Sequence, residues 1–212
     1  MQIIILGTDL SALVCGHSLM DSEPQTNLHL LTENAEVGLM DEGPGILTNP
    51  LQTLIPKDWI HDLRNQKPSP DSTAVRRSWL ERAMASKLAE RGAVFHLHTK
   101  HVQEQKNGIQ ILHLDGAGFS AGTTMEADHI LESKSHNSSQ VWKGGVHLGE
   151  PNGKPFEGCR PDGTVEIWWR KEEDEPLGQG SWLQEMEWVG EDPRKALETA
   201  IRVGKALATS IR

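Results

Sequence analysis

The chain has no tyrosine, three phenylalanines and only two cysteines in 212 residues. Cys15 and Cys159 form neither a disulfide framework nor the paired spacing of a zinc site. Reduced thiols predict a cytoplasmic protein, and Cys15, inside an apolar segment, reads as a small core residue. No apolar run approaches the ~20 residues of a membrane span. Met1 leads straight into a strand, which predicts no signal peptide. Positive charge is also short: 21 Lys and Arg face 30 Asp and Glu, for a net charge of −9 and a pI near 5.6. That balance disfavours a nucleic-acid partner. No G-x-S-x-G elbow is present, which removes the usual hydrolase signature. The length suits one domain, or one domain with a small attachment.

What is present begins at the N-terminus. Ile3, Ile4, Ile5 and Leu6 form a continuous apolar run, the pattern of a strand buried on both faces of a parallel sheet. Gly7 follows, then a helical stretch from Asp9 to Met20 that Asp9 or Thr8 can cap. A second strand, Leu28 to Thr32, ends in Glu33. Strand, glycine turn, helix, strand and acid open a dinucleotide-binding βαβ unit, in which the helix N-terminus faces a diphosphate and the acid bonds the ribose. The G-x-G-x-x-G pattern falls on Gly7-Thr8-Asp9-Leu10-Ser11-Ala12. Ala12 is a tolerated third member. Asp9 stands at the second glycine, where it adds a side chain and a like charge beside the expected phosphates.

Further along, Glu36 to Ile46 reads as a glycine-rich, acidic loop, and Pro50 to Trp59 as a short helix. Ala74 to Arg91 carries Leu80, Met84 and Leu88 at helical spacing, with Gly92 as its C-cap. Ala93 to His98 reads as the third parallel strand. His101 to Gln105, Gly108 to Leu114 and Thr123 to Ala127 read as short antiparallel strands, with Asn107-Gly108 a hairpin turn. Asp128 to Glu132 reads as another strand. The pattern weakens from Ser133 to Gly163. Thr164 to Trp169 and Trp182 to Val189 are expected to pair across the acidic loop Lys171 to Gly180. Glu191-Asp192-Pro193 opens a last helix running to Ile211.

Four of these segments together resemble FAD-dependent oxidoreductases of the para-hydroxybenzoate hydroxylase and geranylgeranyl reductase type. They are the opening βαβ with Glu33; Glu42 to Leu51, like the family's glycine-rich turn into a helix; Val75 to Leu80 running to Ala93, like its arginine-led helix; and Gly108 to Ser139, like its β-meander and following motif. Gly190-Glu191-Asp192 and the final helix resemble its second flavin contact. The resemblance implies an α/β fold: a Rossmann-like FAD/NAD(P)-binding parallel sheet, an antiparallel β-meander and a shortened cap. It implies FAD as cofactor, with Gly7, Asp9, Ser11, Ala12, Glu33, Gly45, Arg77 and Asp192 around it. It also implies one FAD-binding-like domain over 1–212, whose substrate region shrinks to 139–189.

Other constellations read as ordinary structure. His96, His98 and His101 lie where a strand leaves the core and read as polar strand-end residues, so no metal site is expected. Glu172 to Glu175 reads as a solvated loop. Trp168, Trp169, Trp182 and Trp188 read as core or interface packing, with a wall beside a flavin ring as the sharper alternative. No residue declares itself as a substrate acid or base. The expectation is thus a minimal FAD-binding oxidoreductase-like protein. The competing one is a non-catalytic member that has lost the cofactor and serves as a binding or scaffolding partner.

Overall fold

The computed structural model describes residues 1–38, 42–62, 67–69, 71–106, 109–116, 118–120, 122–133, 139–151, 153–176 and 181–211. Among them are three sheets. The first is parallel. Strands β1 (Gln2–Leu6), β2 (Asn27–Leu31), β3 (Val94–His96) and β7 (His129–Glu132) lie in the order β3-β2-β1-β7. The apolar run of β1 is explained by its two covers. Ile3 and Ile5 face a helical layer with Leu28 and Leu30, while Ile4 and Leu6 face Leu112, Leu114 and Ala127 of the meander. Alternate side chains point to opposite faces, so a strand with two covers needs apolar residues at every position.

The helical layer is built from α1 (Leu10–Ser22), α3 (Arg77–Glu90) and α4 (Ala196–Thr209). Leu80, Met84 and Leu88 are fully buried, as the helical spacing of α3 predicts. The helix is shorter than the expected 74–91, because Ala74 bridges Ile46 in an antiparallel pair before it starts. Gly92, at φ +103°, turns the chain out of α3. Helix α4 lies close on α1. A Cβ on Gly204 would sit 2.4 Å from the Ser11 carbonyl oxygen, so only glycine admits this approach. The last helix begins at Ala196 and not at Glu191. Residues 193–195 form a turn in which the Lys195 N–H donates to the Asp192 carbonyl. The 51–59 region holds two short pieces, α2 (Leu51–Leu54) and a single 3-10 turn at Lys57–Trp59.

The meander is β4 (Thr99–Lys106), β5 (Ile109–Gly116) and β6 (Thr124–Ala127), antiparallel in that order. The expected turn at 107–108 lies outside the described residues. The third sheet departs furthest from the sequence reading. Strands β10 (Thr164–Arg170) and β11 (Gln184–Val189) do not pair with each other. Each pairs with β8 (Val141–Leu148), and β9 (Glu157–Cys159) adds to β10, giving β11-β8-β10-β9. Strand β8 is centred on Gly144-Gly145, which reads as a break but is a seat. A Cβ on Gly144 would lie 2.8 Å from the Trp168 ring on one face, and one on Gly145 2.2 Å from the Trp182 ring on the other.

One face of this sheet closes over the loop at 44–47. Ile46, Trp142, Val146, Trp168 and Met186 form a separate apolar cluster. At its centre sits the fully buried Glu166. Its Oε1 accepts from the Gly45 N–H at 2.9 Å and from the Trp168 indole N–H at 2.6 Å. Its Oε2 accepts from Arg160 Nε at 2.9 Å and Nη2 at 2.6 Å.

Candidate functional site

A crevice of about 260 Å³ opens at the C-terminal end of β1. Strand β1 has β2 on one side and β7 on the other, so the chain leaves it in one direction and returns from the opposite one. Open parallel α/β sheets bind ligands at such a switch point. Leu6, Gly7, Thr8 and Asp9 line the crevice from the first turn, Thr32 and Asn34 from the end of β2, Ser133 from the end of β7, and Gly38 and Glu81 from behind. Gly7 takes φ +115°, and nothing lies within 4 Å of where its Cβ would be. It is needed for the backbone turn, and the space above it is open.

Asp9 is the N-cap of α1. Its Oδ1 accepts from the Ala12 N–H at 2.8 Å and the Ser11 hydroxyl at 2.9 Å. The Ser133 hydroxyl has one proton for two acceptors, Asp9 Oδ2 at 3.2 Å and the Ser11 oxygen at 2.7 Å. This cluster therefore joins the start of α1 to the end of β7. The helix N-terminus, where partial positive charge favours an anion, is already facing one.

The remaining expected site residues divide. Glu33 is exposed on the rim, between the lining residues Thr32 and Asn34. Arg77 is buried and donates to Glu81 Oε1 at 3.1 Å, and so acts on the crevice through that carboxylate. Gly45 does not line the crevice. It is jammed against the Val75 carbonyl, 1.8 Å from where its Cβ would be, and donates to Glu166. Asp192 does not line it either. Arg194 grips its carboxylate with Nε at 3.1 Å and Nη2 at 2.8 Å and holds its pKa below the ordinary value. Two acceptors near the start of α4 thus have partners of their own. The second is Glu198, lowered by hydrogen bonds from Thr48 (2.5 Å) and Asn49 (2.7 Å) that tie the 44–50 loop to α4.

Ser133, Glu81, Thr32 and Asn34 escape a reading of the sequence. The available signals are the position of Ser133 one residue after a strand and the i, i+4 spacing of Arg77 and Glu81. Of the three histidines read as polar strand-end residues, His96 ends β3, His98 lies just beyond it and His101 lies in β4. His96 meets His29 across the parallel sheet, Nε2 to Nδ1 at 2.9 Å, and burial lowers the pKa of both. His98 sits at φ +51° beyond the strand. Among the described residues no group of three or more His, Cys, Asp or Glu is placed to hold a metal ion.

No family model matches the chain, and no curated protein matches it. Solved structures do. A flavoprotein/dehydrogenase from Cytophaga hutchinsonii superposes with a TM-score of 0.64 at 10% identity, over 98% of this chain and 76% of that one. A variant of the halogenase PltM in complex with FAD gives 0.61 at 11% identity, over 100% and 70%. The aromatic hydroxylase CabE, from angucycline biosynthesis, gives 0.54 at 12% identity, over 84% of this chain and 45% of its own. This chain thus spans about half the length of that hydroxylase. At these identities the likeness establishes the fold: a mixed α/β flavoprotein-type fold with one parallel sheet and two antiparallel ones.

The crevice can be tested against FAD, the group that fold implies. Its volume lies just under the ~300–1,000 Å³ of pockets that bury a drug-sized ligand. It therefore admits one end of a dinucleotide. Hydroxyls and an amide from Thr8, Thr32 and Asn34 suit the neutral adenosine. Asp9 opposes the diphosphate: two unit charges ~4 Å apart at an effective dielectric near 20 repel by about 4 kcal/mol. None of the described residues lining the crevice is a Lys or Arg. The residues fit the nucleoside end of the group and resist its charged middle.

Proposed function

We propose that the crevice takes FAD reversibly, adenosine end first, and that the chain is an FAD-binding oxidoreductase-like protein whose substrate region is cut down to 139–189. The observation that supports this is the open crevice at the switch point of the parallel sheet, roofed by the Gly7 turn and reached from β2 and β7. In this reading Gly7, Ser11 and Ala12 lie along the diphosphate, and Glu33 turns in from the rim to the adenosine ribose. Gly45, Arg77 and Asp192 complete the surroundings through the elements they brace. Bound flavin supplies hydride or electron transfer; the chain's own residues bind and orient it.

The second reading is the cofactor-free binding partner. The third sheet favours it: Ile46, Trp142 and Trp168 are packed shut around Glu166 on the face that meets the 44–47 loop, so the described residues leave no substrate chamber there. Titration with FAD, followed by flavin fluorescence and absorbance, separates the two. The first reading expects saturable binding, weakened by Glu33→Ala through loss of a charge-assisted hydrogen bond of ~1.5–3 kcal/mol. No spectral change with either protein rejects it and leaves the second.

A further inference from the structure

We infer that the outer face of the third sheet carries a second binding site, an indole wall with a rim of mixed charge that takes a short neutral oligosaccharide. The site shares no residue with the crevice and does not depend on it. Strand β8 has two faces. Trp142 and Val146 point toward the 44–47 loop and are buried, whereas Lys143 and Gly145 point the other way. On that other face the pairing of β8 with β10 and β11 sets Lys143 beside Trp169 and Glu187. Trp182, two residues before β11, lies over Gly145, where no side chain could stand. It stacks on Trp169 with ring centroids 5.3 Å apart and planes 19° from parallel. Its other neighbours fix it as well: His147 meets it edge to face at 5.8 Å, and its indole N–H donates to Glu175.

Two observations point to a ligand. The first is that this indole pair is fixed and yet left open. On the inner face Trp142 and Trp168 are shut inside the apolar cluster, while Trp169 and Trp182 stay partly exposed beside a cavity of about 450 Å³. That volume lies within the ~300–1,000 Å³ of small-molecule sites. The second is the chemistry of the rim. Lys143 and Lys171 both reach Glu187, at 3.2 and 3.3 Å. An ammonium has three N–H donors, so each lysine can serve a ligand as well. Glu173 and Glu185 add acceptors around the same cavity. An ion of either sign meets like charge there. A neutral polyol meets a partner for each hydroxyl. A pyranose with equatorial hydroxyls completes the match, because its flat faces carry only C–H groups, whose positive hydrogens suit the negative face of an indole.

Cellobiose, two such rings joined in line, is the probe. Isothermal titration calorimetry on the full chain should show saturable binding to one site, and tryptophan fluorescence should change with the same midpoint. Added salt should weaken binding little, because the ligand carries no charge. Trp169→Ala should weaken it roughly tenfold. Glu185→Ala changes an exposed side chain on the outer strand, so it reports even where Trp169→Ala fails to fold; it should weaken binding at least roughly threefold. No heat and no fluorescence change up to about 50 mM cellobiose overturns the inference. So does cellobiose binding that Glu185→Ala and a folded Trp169→Ala both leave unchanged, or binding of tetramethylammonium in place of the sugar, since the cavity would then select a cation. An FAD titration of the same proteins reads the crevice separately, so either site can fail while the other stands.

Discussion

Two carboxylates divide this molecule. Glu166 is fully buried and satisfied on both oxygens, by a guanidinium, an indole and a backbone N–H. Asp9 is half-exposed at a crevice and meets a backbone N–H and two hydroxyls, one of which is shared, with no cation among those partners. The first site has nowhere to put a ligand and holds the third sheet to the 44–47 loop. The second has room beside it and partners that cost little to exchange. Of these two carboxylates, the one whose charge is closed by a cation holds structure together, and the one whose partners are neutral faces open space.

The sharpest way to break the comparison is to remove the closed carboxylate. Glu166→Ala strands the buried Arg160 charge and leaves two N–H donors without an acceptor. Breaking a buried pair from one side costs about 3–5 kcal/mol, a large part of the ~5–15 kcal/mol that holds a domain together. Urea unfolding should show that loss in the midpoint; a change below 1 kcal/mol would mean that the network is not a keystone.

The helical layer has a closed polar centre of its own, and pH probes it. His17 is fully buried in α1 and stacks on Trp59. Its Nε2 meets the Met84 carbonyl at 3.0 Å and its Nδ1 meets Arg91 at 2.9 Å. Those partners require the neutral imidazole, accepting at Nδ1 and donating at Nε2. Burial lowers its pKa from 6.5 to about 4. The unfolded chain therefore takes up the proton first as pH falls. His17 contributes its full stability above pH 6.5 and loses it progressively down to pH 4, about 3 kcal/mol in all. The urea midpoint should drop between pH 7 and pH 4.5, and His17→Asn should flatten that dependence; an identical slope in the variant would refute the assignment.

A smaller effect sharpens the account of the third sheet. Gly144→Ala drives a methyl into the Trp168 ring, against a strand that cannot retreat. Overpacking of this kind costs ~1–3 kcal/mol. Near-ultraviolet circular dichroism should change with the melting temperature, because the displaced group is an indole. An unchanged spectrum would show that Trp168 has another place to go.

Much of the fold is legible in the sequence, and the reason is local. The run at Ile3–Leu6, the stripe of α3 and the alternation of the meander each declare their partners by periodicity. Strand β8 does not, because its two central glycines acquire meaning only from Trp168 and Trp182, more than twenty residues away. The pairing of β10 with β8 in place of β11 is non-local in the same way. Within the site, Gly7 and Asp9 can be read from spacing. Ser133 and Glu81 cannot, since what places Ser133 is the register of β7 on β1 and what places Glu81 is the packing of α3 behind the turn.

The edges of the three sheets carry a final consequence. The outer strands β3, β6, β7 and β9 are three or four residues long. The two long outer strands are charged: β4 carries Lys100, Glu104 and Lys106, and β11 carries Glu185 and Glu187. Open strand edges are templates for another chain, and shortness and charge are what blunt them. Among the described residues three separate sheets present six such edges, and each is either too brief or too charged to recruit a stranger. The chain can therefore keep its sheets small and unclosed without inviting the fibrous association that an uncovered β-edge otherwise promotes.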